Sequence, residues 1–142
     1  MTEILAWVVS GLLFAVSGIH FYWVFGGRKG YRAAIPSISN DQEPLFRPTK
    51  PATAVVAILM ALAAWAVAEL GGGIEPVLFS DTLLRFAGWA LAIVFVLRAV
   101  GDFKWLGLFK SKKGTVFARW DSLLYSPLCL LLGAALFVII LQ

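Results

Sequence analysis

Charge is what this sequence has least of. Only 14% of its 142 residues are Asp, Glu, Lys or Arg, against about a quarter in an ordinary soluble domain. With 61% hydrophobic residues and a mean hydropathy of +0.87, the chain has too little polar surface to cover a water-soluble fold. Lipid must therefore be the solvent for much of it. Histidine and cysteine are almost missing. A single cysteine, Cys129, excludes an intrachain disulfide. A single histidine, His20, cannot complete a metal site with that cysteine alone, so carboxylates or a second subunit would have to add ligands. The residues identify no cofactor and no metal centre.

Acidic residues are also in the minority, 8 against 12 basic ones, giving a net charge of +4 and a pI near 9.5. These cations sit between apolar runs rather than along one solvated face, which argues against a nucleic-acid partner. The length fits one domain, taken as residues 1–142.

Four apolar runs are present. A helix needs about 20 residues to cross about 30 Å of hydrocarbon. The sequence predicts spans at about 4–25, 52–70, 82–100 and 121–141. The fold class that follows is all-α: an integral membrane four-helix bundle. The first run does not resemble a cleaved signal peptide, because Glu3 stands where basic residues belong and Arg28, Lys29 and Arg32 follow the run. Gly26-Gly27 and Gly71-Gly72-Gly73 mark helix ends, and Pro48 and Pro51 mark a helix start.

The charges predict orientation. Eleven of the 12 basic residues fall in the 28–50 and 98–119 regions, while Arg85 alone lies on the opposite side. Cytoplasmic loops collect Lys and Arg. Both termini are therefore expected outside and two basic loops inside, in a bacterial cytoplasmic (inner) membrane. The run from Phe103 to Trp120 mixes aromatic residues with lysines. It is expected to meet anionic head groups, so membrane lipids are the first partner implied.

The fourth run holds a conflict. Ser126-Pro127 reads as a helix start, yet starting there leaves too few residues to span. A start near Asp121, capped by Asp121 or Ser122, with a kink at Pro127, resolves it. Small residues then offer packing faces: Ala54, Ala57, Ala61, Ala64 and Ala68 on the second span, Gly88 and Ala92 on the third, Gly133 on the fourth. The facing surface could belong to this chain or to a second copy in a homo-oligomer or larger membrane complex. His20-Phe21-Tyr22-Trp23 also echoes Asp102-Phe103-Lys104-Trp105, as two hairpin repeats would.

Ionisable residues within spans are costly and mark candidate sites. Here they gather at the inner ends of three helices. His20 and Tyr22 lie on the first, Arg98 and Asp102 on the third, Asp121 and Tyr125 on the fourth. These six are the candidate ligand-binding residues. Arg98 and Asp102 are four apart, as are Asp121 and Tyr125, so each pair is expected to share a helix face. Gly26-Gly27-Arg28-Lys29-Gly30 lacks the preceding strand and the Lys-Ser/Thr of a phosphate loop.

The pieces Gly18-Ile19-His20-Phe21-Tyr22-Trp23, Gly26-Gly27-Arg28, Arg98-x-x-Gly101-Asp102-Phe103, Gly114-Thr115-x-Phe117-Ala118-Arg119 and Asp121-Ser122-x-x-Tyr125-Ser126-Pro127-Leu128-Cys129 occur together. In them the chain resembles a family of small bacterial four-helix membrane proteins, the DUF3995 family. The resemblance implies the fold and a bacterial membrane location. It implies no activity, cofactor or catalytic residue.

Three functions fit. The inner polar layer could bind or transport a small polar ligand or lipid head group. The chain could be an accessory or scaffold subunit. It could also be a membrane enzyme on an apolar substrate, with His20 as general base. Binding is the leading expectation.

Overall fold

A computed structural model describes residues 1–39 and 43–142. The elements are α1 (Thr2–Val24), α2 (Tyr31–Ala34), α3 (Lys50–Leu70), α4 (Asp81–Val100), α5 (Val116–Trp120), a π-helical turn (Asp121–Tyr125) and α6 (Ser126–Leu141). No strand occurs among the described residues; one isolated antiparallel bridge joins Ser37 and Pro44. Four helical stretches are long and apolar enough to cross a membrane: α1, α3, α4 and the continuous run Val116–Leu141. Within their most apolar windows only 28–39% of residues are buried. The rest present Leu, Ile, Val, Phe and Trp side chains outward, as a lipid-facing surface requires.

Local signals account for the helix ends. α1 closes with the Gly27 amide on the Tyr22 carbonyl (2.9 Å) and Gly26 at φ +97°, the left-handed stop that glycine tolerates best. Thr49, Ser80 and Thr115 cap α3, α4 and α5 through their side-chain oxygens.

α1 packs mainly on α3 and α4 on α6, while α3–α4 and α1–α6 contacts join the two pairs. Small residues bring the backbones together. Ser10 and Ser17, seven apart on α1, donate to the Ala64 and Ala57 carbonyls of α3 at 2.7 and 2.6 Å. A Cβ on Gly71 would stand 2.2 Å from that of Ala6, and one on Gly133 would stand 2.8 Å from Val96. The predicted small-residue faces therefore meet inside one chain. The core between them holds Val9, Leu13, Val67, Phe95, Leu132 and Leu136.

Thr2 and Gln142 are joined by a side-chain hydrogen bond, so both termini lie at one end of the bundle, with the 71–80 connection. The other end carries the 25–49 and 101–115 connections and most of the cations. It is called the basic end below.

The sequence expectation for the fourth span needs correcting. Its helix begins at Val116, capped by Thr115, and neither Asp121 nor Ser122 is its cap. The irregularity ahead of Pro127 is a π turn, closed by the Ser126 amide on the Asp121 carbonyl. The wider turn accommodates a proline ring that would crowd the carbonyl four residues back. The sequence echo also dissolves structurally: His20–Trp23 are helical, whereas Asp102–Trp105 lie past the end of α4.

Candidate functional site at the basic end

Asp121 organises the basic end. The π turn places its carboxylate and the Ser126 hydroxyl, five residues on, over the same face, with Ser126 donating to Oδ1 at 3.1 Å. Arg98 of α4 donates to Oδ1 at 2.9 Å. The Gly107 amide and Lys110 Nζ reach Oδ2 at 2.8 and 3.0 Å. Lys110 also donates to the Gly107 carbonyl (2.9 Å) and to Ser122 (2.6 Å). The Asp121 side chain has no exposed surface, and Lys110 has almost none. Removing these charges from water is expensive unless each is paired and hydrogen-bonded. Here one carboxylate serves two cations, and Arg98 Nη1 is buried beside it without a partner among the described residues.

The expected Arg98–Asp102 pair does not form. The i, i+4 rule needs both residues in one helix, and α4 ends at Val100 with Gly101 at φ +84°. Asp102 leaves the helix and turns inward on its own loop. Its Oδ1 accepts from the Lys104, Trp105 and Leu106 amides at 3.0, 2.7 and 2.9 Å. Burial pushes its carboxyl upward, but those amides outweigh it and hold the carboxyl below its ordinary range. Tyr125 is half-buried with its ring against Phe117, 6.1 Å between centroids; the wide turn gives the place facing Asp121 to Ser126.

His20 donates from Nδ1 to the Val16 carbonyl of its own helix (2.8 Å) and stands edge-on to Trp23 (5.1 Å). Its hydrogen bond goes to neither Asp102 nor Asp121. The Tyr22 hydroxyl accepts from the Lys29 amide (3.4 Å), and Trp23 Nε1 donates to the Lys29 carbonyl (2.9 Å). Gly27 is required beneath Tyr22, since a Cβ there would stand 2.3 Å from the ring. Trp23 meets Tyr31 edge-on at 5.9 Å.

The six candidate residues thus divide into three places. Arg98 and Asp121 share the buried cluster, with Tyr125 at its border. Asp102 holds the 101–115 loop. His20 and Tyr22 flank the end of α1. Sequence reasoning missed Lys110 as a buried group, because nothing in Lys110-x-Lys112-Lys113 distinguishes one lysine from the next. It also missed a groove of about 400 Å³ beside α1, lined by Trp23, Arg28, Tyr31, Arg32, Lys50 and Thr53. A second groove of about 440 Å³ lies where α5 begins, beside Lys113, Thr115 and Arg119.

At the terminal end, the buried Glu69 accepts from Trp65 Nε1 (2.8 Å) and from the Val77, Leu78 and Phe79 amides (3.1, 2.9 and 3.3 Å), fixing the 71–80 connection. Among the described residues no group of three His, Cys, Asp or Glu side chains could hold a metal ion.

Four apolar helices packed on an apolar core, with an internally paired polar cluster at one end, define an integral membrane helical bundle. Within that class, residues 13–136 match the family described as Protein of unknown function (DUF3995), and the chain belongs to it. No curated protein and no solved structure matches the chain.

Proposed function

We propose that this is a multi-pass protein of a bacterial cytoplasmic membrane that binds a phosphate-bearing lipid head group at its basic end, with that end toward the cytoplasm. One observation carries the reading. The groove between α1, α2 and α3 gathers Arg28, Arg32 and Lys50 on about 400 Å³ of open space bounded by Trp23 and Tyr31. The Asp121 carboxylate is already engaged by Arg98, Lys110 and the Gly107 amide. Guanidinium groups grip phosphate oxygens in pairs, and aromatic rings at the level of the helix ends suit the membrane interface. Lipid reaches such a groove laterally, without a path across the bundle.

The test is native mass spectrometry from nanodiscs of mixed phosphatidylglycerol and phosphatidylcholine. Wild type should retain discrete anionic lipid. Arg28→Gln with Arg32→Gln should retain about thirtyfold less, from about 1 kcal/mol per basic residue, with an unchanged unfolding midpoint. Equal retention by both proteins sinks the groove as the site.

A further inference from the structure

The 101–115 connection has features that the groove does not explain. Phe103 and Phe109 expose 62% and 63% of their surface, with their rings 6.4 Å apart, and Leu108 beside them is 43% exposed. Phe103 is also the one non-glycine among the described residues with positive φ, at +62°. A bulky side chain in that conformation is strained, and such strain persists where surrounding structure enforces it.

The surroundings do enforce it. Asp102 gathers three successive amides, and the Gly107 amide and Lys110 ammonium are fixed to Asp121. Backbone bonds run from Leu108 N to Ala99 O (2.8 Å), Ser111 N to Phe103 O (3.0 Å) and Lys112 N to Lys104 O (2.9 Å). Gly101 and Gly107 touch back to back, where a Cβ on either would collide with backbone. A loop so fastened cannot fold its two phenylalanines under cover.

The charge around the rings is of one sign. Lys104 and Lys112 hold their ammonium groups over the Trp105 ring at 5.5 and 5.8 Å. The one carboxylate in the stretch, Asp102, is engaged by backbone amides. The loop starts directly beyond α4, whose outward Leu97 belongs to the lipid-facing surface.

We propose that this loop is a preformed docking foot for an anionic leaflet. Phe103 and Phe109 enter the interfacial layer between head groups and acyl chains, and Lys104 and Lys112 meet lipid phosphates. Apolar burial and cationic attraction act together at such a surface. The occupant is lipid rather than a protein, because the loop leaves the end of a span where the leaflet already lies and carries the complementary charge. The foot uses none of the groove residues, so it stands or falls separately from the head-group site.

The experiment places an environment-sensitive dye at Phe109→Cys in a Cys129→Ser background, in nanodiscs holding phosphatidylglycerol or phosphatidylcholine spin-labelled near the head of the acyl chain. The dye should be quenched by the lipid label and shielded from aqueous iodide. Phosphatidylglycerol should quench preferentially, and Lys104→Gln with Lys112→Gln should reduce that preference by about fivefold per lysine. Those results should survive Arg28→Gln with Arg32→Gln. A dye open to iodide and untouched by lipid label overturns the proposal, as does equal quenching by the two lipids. Phe103→Gly gives an independent reading in detergent. Glycine adopts this φ freely, so the variant should be at least as stable as wild type. A marked loss of stability would show that the ring packs the fold instead of serving the leaflet.

Discussion

Asp121 neutralises two cations from a position with no exposed surface; Lys110 is buried as deeply, whereas the Arg98 side chain keeps 28% of its surface exposed. Among the described residues Arg98 pairs with this carboxylate alone, and its Nη1 is buried without a partner. Lys110 is held as tightly, with neutral oxygens of Gly107 and Ser122 completing its shell. Asp121→Asn keeps the shape and removes the charge, leaving the Lys110 ammonium buried and uncompensated and the partly exposed Arg98 guanidinium without its carboxylate. Breaking a buried pair in this way costs about 3–5 kcal/mol. Reversible unfolding of wild type and variant in mixed micelles measures the difference. A loss below about 1 kcal/mol would show that water reaches the cluster and that burial here is only nominal.

At the scale of elements, the sequence was informative wherever one rule acted alone. Apolar length and glycine or proline punctuation placed α1, α3 and α4 to within about two residues of their observed bounds, because such helices satisfy their backbone internally and need no partner to define them. Of the fourth span only the start escaped, placed five residues late, because Arg119 and Asp121 bracket the turn that Thr115 caps and because the π turn lets helix continue through Asp121. The polar pairings escaped for a related reason. Four-residue spacing joined Arg98 to Asp102 on paper, but Gly101 takes Asp102 off the helix, and the true partner lies 23 residues away. Asp102 instead fastens the 101–115 loop, and this gives the loop a pH response. Its folded carboxyl lies below the ordinary value of 3.8. The stabilisation is therefore complete above that value and disappears as pH falls through the lower folded value. Hydrogen exchange at Lys104, Trp105 and Leu106 should show protection at neutral pH that fades in acid ahead of the spans. Asp102→Asn should remove that acid-specific fading. Protection unchanged down to full protonation would mean that the amides are held by something other than this carboxylate.

For the whole molecule, two independent facts bear on how the bundle sits. Thr2 and Gln142 hydrogen-bond at one end, so the chain ends share a side of the membrane whatever its orientation. The charge is divided along the same axis: eleven basic residues fall in the regions that build the other end, against Arg85 near the termini. Folding does not consume that asymmetry, since Lys110 and Arg98 alone enter ion pairs among the described residues, leaving nine of the eleven to set orientation. Cations near span ends stay on the cytoplasmic side, and the proposed orientation accordingly has Gln142 outside. Alkaline phosphatase fused after Gln142 should therefore be active in growing bacteria and green fluorescent protein at the same site dark. Fusions placed after Lys113 should report the reverse. A fluorescent, phosphatase-inactive C-terminus would invert the molecule, and the groove and the foot would then face the outer leaflet, where the same phosphate chemistry would have to be met by different lipids.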